Sequence, residues 1–184
     1  MLIESARACL LVVDLQERLL AAMARPEPVL RQVGILVRAA RRLGVPILAS
    51  EQYPKGLGPT EAGLRALLGN EVAPMAKTHF SCTADPAIKA RLEAFAREGR
   101  DQAVIVGVEA HVCVLQTALG LPKLGLAPFV VADAVTSRQP ESHGRALDRM
   151  ARDGVEVVTT EMALFEWLEQ AGTAEFKELS ALIR

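Results

Sequence analysis

Apolar runs alternate with segments of helical period along most of the chain. Ala8 to Val13 (ACLLVV) is a short unbroken apolar run, which predicts a strand buried on both faces. Pro26 and Pro28 then open a long helix. Its apolar positions Val29, Val33, Leu36, Val37 and Ala40 repeat at helical spacing, and Gly44 closes it as a left-handed C-terminal cap would. Val45 to Ala49 reads as a second strand. The stretch Ser50 to Pro59 holds four Gly or Pro residues and reads as a loop. Thr60 is expected to cap a short helix that ends near Gly69. Val72 to Lys77 reads as a third strand, and Pro74 inside it places it at a sheet edge.

The second half repeats the alternation. Asp85 followed by Pro86 is a helix start, with Ile88, Leu92 and Phe95 on the buried side and Gly99 as the stop. Ala103 to Val108 is the clearest central strand, with a helix expected from about His111 to Lys123. Pro128 to Ala132 reads as a strand, Pro140 to Arg152 as a helix and Val155 to Val158 as a strand. Thr160 to Glu169 and Thr173 to Ile183 read as closing helices. Some six strands alternating with helices imply an α/β fold in three layers (α/β/α), with a parallel sheet covered on both faces by right-handed connections. With no repeat, low-complexity tract or linker, residues 1–184 read as one domain.

Composition narrows the class. The chain has 184 residues, a net charge of −1 and no Lys/Arg run, so no basic field exists to draw in nucleic acid. The N-terminal apolar stretch is too short for a membrane span and lacks a signal-peptide layout, so a soluble, cytoplasmic protein is expected, with no membrane partner. Three cysteines, Cys9, Cys82 and Cys113, cannot all pair, and no CxxC occurs.

Ligands of open α/β sheets bind beyond the carboxyl ends of strands, where strand order reverses. Asp14 directly follows the first strand, in VVDLQ. Cys113 follows the Ala103 to Val108 strand, in GVEAHVCV, at the start of a helix whose free N–H groups favour a thiolate and could hold an oxyanion. If the two strands are neighbours, Asp14 and Cys113 face each other. Each residue also has a plainer reading: Cys113 as core packing, Asp14 as a turn or cap. Lys77 draws notice only because it ends the third strand at the same edge. His79, His111 and His143 form no HExxH or other close pair, so no metal site and no cofactor are expected. A His111–Cys113 dyad is disfavoured, since residues two apart at a helix start diverge. Cys9 and Cys82 read as structural. The absence of GxGxxG and GxxxxGK[ST] after the first strand disfavours dinucleotide and P-loop sites.

The segments VVDLQERLL, KTHFSC, GVEAHVCVLQTAL and VVADAVTSR resemble, in order, the motifs of the isochorismatase-like cysteine hydrolases. EQYPKGLGPT, TEMALFEWL and FKELSALI resemble its isochorismatase domain-containing subgroup. The resemblance implies a six-stranded parallel sheet in the order 3-2-1-4-5-6 and a catalytic set of Asp14, Lys77 and Cys113. It also implies a cis peptide at Val108–Glu109 that aims the Glu109 N–H, with that of Cys113, at an oxyanion. Lys77 and the helix terminus would stabilise the Cys113 thiolate, with Asp14 moving the proton. The stretch from Ser50 to Pro54 lacks the histidine of the metal-binding nicotinamidases. Gln16, Gln52, Tyr53, His79 and Phe80 are expected to line a small, aliphatic pocket for a small-molecule substrate. The implied activity is hydrolysis of an amide or ureido C–N bond. The alternative is a non-catalytic or redox-sensing member of the same fold. The family's habit of assembly implies a homo-oligomer, with Phe165, Trp167 and Leu168 either at its interface or in the core.

Overall fold

The computed structural model describes residues 1–183. β1 (Ala8–Val13) is wholly buried, because its alternate side chains enter two different cores. Leu10 and Val12 join one hydrophobic cluster, while Cys9, Leu11 and Val13 join the other. A strand clad on both faces has no polar side to show, hence the unbroken apolar run. α1 (Pro26–Leu43) starts with proline in its first turn and ends at Gly44, whose φ of 69° is left-handed. β2 (Ile47–Gln52), α2 (Ala62–Leu68) and β3 (Met75–Lys77) follow. α3 (Pro86–Arg97) is capped by Asp85, whose carboxylate accepts from the N–H groups of Ala87 and Ile88.

β4 (Gln102–Val108) leads into a wide helical turn, Ala110–Val114, which tightens into α4 (Leu115–Gly120). β5 (Ala127–Thr136), α5 (Pro140–Arg152), β6 (Glu156–Val158), α6 (Thr160–Leu168) and α7 (Ala174–Ser180) complete the chain. All sheet pairings are parallel, and the sheet is six-stranded in the order β3-β2-β1-β4-β5-β6. Strand order reverses between β1 and β4, so the crevice at their carboxyl ends is where this architecture places a ligand. α1, α6 and α7 cover one face. α3, α4 and α5 cover the other.

Three local expectations are corrected. Ser50, Glu51 and Gln52 are not loop: they extend β2, paired in register with Met75, Ala76 and Lys77 of β3. Their polarity belongs to the mouth of the sheet, which hides strand character from a hydrophobic count. Thr60 does not cap α2. Glu61 does, accepting from the Gly63 and Leu64 N–H groups, while Thr60 donates its N–H and hydroxyl to Glu51. The helix expected from His111 to Lys123 is regular only over α4, and beyond it the chain tightens to a 3-10 turn, Leu121–Leu124, around Pro122. Among the described residues, no helix is long and apolar enough to cross a membrane.

Candidate active site

Val13 stands level with Gly107 across the β1–β4 pair and with Ser50 across the β1–β2 pair. The residue after Val13 therefore leaves the sheet at its centre. That residue is Asp14, whose φ of 53° turns the backbone out of the strand. The two central strands approach closely here. Gly107 has a φ of 125°, and a Cβ on it would overlap the Val13 carbonyl oxygen. Only glycine fits such a position.

The structure brings Asp14, Lys77 and Cys113 together. Asp14 and Lys77 are a fully buried ion pair, with Lys77 Nζ 2.7 Å from Asp14 Oδ2 and both side chains at 0% exposure. Lys77 also donates to Gln52 Oε1 at 2.7 Å and to the Phe80 carbonyl at 3.1 Å, so its ammonium is saturated. Ser50 Oγ donates to the other carboxylate oxygen, Asp14 Oδ1, at 2.7 Å. The Cys113 thiol is buried, and the Asp14 carboxylate is among the charges that act on it.

The surroundings of Cys113 work against the thiolate that a helix start favours. Burial pushes its thiol well up from the ordinary value. The neighbouring Asp14 carboxylate pushes it further, and Lys77 opposes this only in part. Lys77 is already paired to Asp14, so its positive charge is mostly spent there. The Cys113 thiol thus holds its proton more tightly than an ordinary cysteine does. Cys9, deep between strand and helices, is likewise pushed up by burial to about 12.

The remaining expected residues divide into scaffold and rim. Gln16 is buried. Its amide donates to the Gln52 and Gly58 carbonyls and its oxygen accepts from the Gln52 N–H. Gln52 in turn donates to the Thr78 carbonyl while holding Lys77. Both amides are thus consumed in fixing the Lys77 ammonium. Tyr53, His79 and Phe80 lie at the surface, Tyr53 at 55% and Phe80 at 53% exposure. A cavity of about 350 Å³ beside Lys77 is lined by Tyr53, Pro54, Lys55, Ala76, Thr78 and Asp85. Neither Asp14 nor Cys113 is part of its lining. The Val108–Glu109 peptide is cis. Val108 is buried, and the Glu109 carboxylate accepts from both the backbone N–H and the Nε of Arg138 at 3.0 Å. His111 diverges from Cys113, its Nδ1 lying 2.9 Å from Ser137 Oγ.

Sequence reasoning missed Ser50 and undervalued Cys82. Ser50 looked like the first residue of a loop, and only the strand register reveals that it flanks Asp14. Cys82 is fully buried with its sulfur 3.6 Å from Ser50 Oγ. Among the described residues, no group of three or more His, Cys, Asp or Glu side chains could hold a metal ion. Trp167 and Leu168 are core residues, whereas Phe165 is 40% exposed and packs at a tilt against Phe176.

Comparison with known proteins gives one consistent result. The family model described as the isochorismatase domain matches residues 8–162. Isochorismatase domain-containing protein 2A of Mus musculus is 35% identical over 95% of this chain and 82% of its own. Isochorismatase domain-containing protein 1 of Salmo salar is 38% identical over 93% of this chain, which spans only 59% of that longer relative. Among solved structures, the MAR1 ribonuclease from Caenorhabditis elegans is 33% identical with a TM-score of 0.91, covering 100% of this chain and 92% of that one. The fold is also that of YcaC from Escherichia coli, described as an octameric hydrolase of unknown specificity, at 23% identity and a TM-score of 0.90 over 99% of this chain and 90% of that one.

Proposed function

The chain belongs to the isochorismatase family, and from that membership we propose that it is a cysteine hydrolase acting on a small amide or ureido C–N bond through a thioester on Cys113. The observation that supports this reading is the position of Asp14, one carboxylate paired to the Lys77 ammonium and near enough to the Cys113 thiol to act on it electrostatically.

In this mechanism the Cys113 proton passes to Asp14 as the sulfur attacks the carbonyl carbon. A thiol resting protonated needs such a base at the moment of attack, and positioned acid–base help of this sort contributes about 10²–10⁴ in rate. The N–H groups of Glu109 and Cys113 take the developing oxyanion. The C–N bond breaks, Asp14 returns the proton to the departing amine, and a thioester remains on Cys113. Water then gives a proton to Asp14 and attacks the thioester. The C–S bond breaks, and Asp14 returns the proton to the sulfur. The net change is one amide plus one water to one acid plus one amine. Lys77 holds the Asp14 carboxylate in place through their ion pair, and Gln16 and Gln52 keep Lys77 in place.

Residues 1–184 act as one catalytic unit in this reading. Copies of it assemble through the surface that carries Met162 and Phe165, the exposed apolar side chains of α6.

A panel of small amides and ureido compounds, assayed with hydroxylamine as a thioester trap, tests the mechanism. Turnover with formation of the hydroxamate, both lost in Cys113→Ala, is the expected result. Turnover that survives Cys113→Ala removes the thioester. RNA belongs in the same panel, because a structural relative bears the name ribonuclease.

A further inference from the structure

We propose that Ser50 is a positioning residue for the proton transfer between Cys113 and Asp14, and that Cys82 fixes the direction in which Ser50 donates. The proposal rests on the reading that Asp14 takes the Cys113 proton. Ser50 lies beside Val13 across the β1–β2 pair, and its carbonyl accepts from the Asp14 N–H at 3.1 Å. Backbone register thus delivers its hydroxyl to Asp14 Oδ1, at 2.7 Å.

A serine hydroxyl has one proton to give and two lone pairs to receive with. Cys82 decides how these are used. Its thiol donates to Ser50 Oγ across 3.6 Å, so the single Ser50 proton is left for Asp14. Cys82 is itself pinned, its N–H donating to Thr117 Oγ1 at 2.9 Å. Thr117 stands one helical turn beyond Cys113, so the helix that carries the nucleophile also anchors the group that orients Ser50. The result is a buried line of donors: Cys82 to Ser50, and Ser50 to Asp14. Lys77 meets the same carboxylate from the other side. Both carboxylate oxygens are therefore held, which fixes the plane of the base relative to the sulfur.

The hydroxyl also shares the carboxylate's charge. The groups that act on the Cys113 thiol are Asp14 from the end of β1, Lys77 from the end of β3 and Cys82 from the turn before α3. Asp14 raises it and Lys77 lowers it. Without the Ser50 O–H, more of the Asp14 charge falls on Cys113, and the thiol holds its proton to higher pH.

The test follows the rate of Cys113 alkylation by iodoacetamide in the full chain, mapped by peptide mass, from about pH 6 to about pH 10, where the rate climbs with the small thiolate fraction and a shift displaces the whole profile. In Ser50→Ala the Cys113 profile moves upward by roughly 0.5–1 pH unit, a part of the roughly 1–2 units that one hydrogen bond to a charged group is worth, because the loss reaches the thiol through Asp14. Ser50→Thr restores the wild-type profile. Cys82→Ser keeps a donor towards Ser50 and leaves the profile in place. Asp14→Asn moves it downward, because the charge that raises the thiol is gone. A Ser50→Ala profile that coincides with wild type, while Asp14→Asn shifts, overturns the role of Ser50 and leaves the cysteine mechanism standing. An unshifted Asp14→Asn profile overturns both. Should the alanine variant fail to fold, Ser50→Cys, close in size with a weaker donor, carries the same test. An unshifted profile there overturns the proposal.

Discussion

Lys77→Met removes the cation from a carboxylate that no water reaches. The pair is 2.7 Å apart with both side chains at 0% exposure. At an effective dielectric near 20, charges at that separation attract by about 6 kcal/mol, against which desolvation of both must be set. What the variant measures is the stranding of Asp14. Breaking a buried pair from one side costs about 3–5 kcal/mol. The Ser50 hydroxyl remains on Oδ1 and limits the loss by about 1 kcal/mol. The expected change in unfolding free energy is therefore about 2–4 kcal/mol, read from urea denaturation near neutral pH. Asp14→Asn/Lys77→Met replaces both charges by neutral groups, and it should lose less than the sum of the two single variants by about 2 kcal/mol or more. A loss below about 1 kcal/mol for Lys77→Met, the range of exposed ion pairs, would refute this account of the site. Strict additivity in the double variant would refute it too.

Alkaline pH tests the buried thiols. Cys9 and Cys82 are raised from 9.0 to about 12 and about 11, chiefly by burial, so the folded protein keeps their protons where the unfolded chain releases them. Their contribution is present in full below pH 9 and is lost as the pH climbs from there through 11 and 12. The urea midpoint should fall above pH 9, by roughly 1 kcal/mol per thiol near pH 10, and Cys9→Ala should fall less steeply; equal slopes would count against burial as the cause. Gly107→Ala places a methyl against the Val13 carbonyl at a positive φ. It should destabilise by more than about 2 kcal/mol or prevent folding, and a thermal midpoint close to wild type would show that the strands can part. Leu92→Ala empties a fully buried position under the sheet and should cost about 2–5 kcal/mol, measured by the same denaturation, with no change in the pH profile of Cys113 alkylation.

The sheet was legible because its signals are local. The run ACLLVV, the Asp85–Pro86 start and the Gly44 stop each declare themselves within a few residues. The strand order and the trio Asp14, Lys77 and Cys113 came instead from motif resemblance, since no periodicity says that β1 lies beside β4. The wiring was not legible. Ser50 meets Asp14 across 36 residues and Lys77 meets it across 63, through strand register that the sequence does not print. Gln16 and Gln52 looked like substrate contacts because polar side chains at a sheet mouth usually face a ligand. Here their hydrogen bonds are used up inside the protein. The environment of Cys113 is not legible either: a helix start favours a thiolate, whereas burial and the Asp14 carboxylate, both set by the fold, push the thiol the other way.

The central place of β1 has a consequence for synthesis of the chain. One flank of β1 pairs with β2, which follows soon after, but its other flank waits for Gln102–Val108. Until that segment leaves the ribosome, a fully apolar strand is left with an open row of peptide groups. Such an edge invites pairing with a second nascent copy. Growth temperature and expression rate should therefore govern how much protein is recovered in folded form, more than the stability of the finished molecule does.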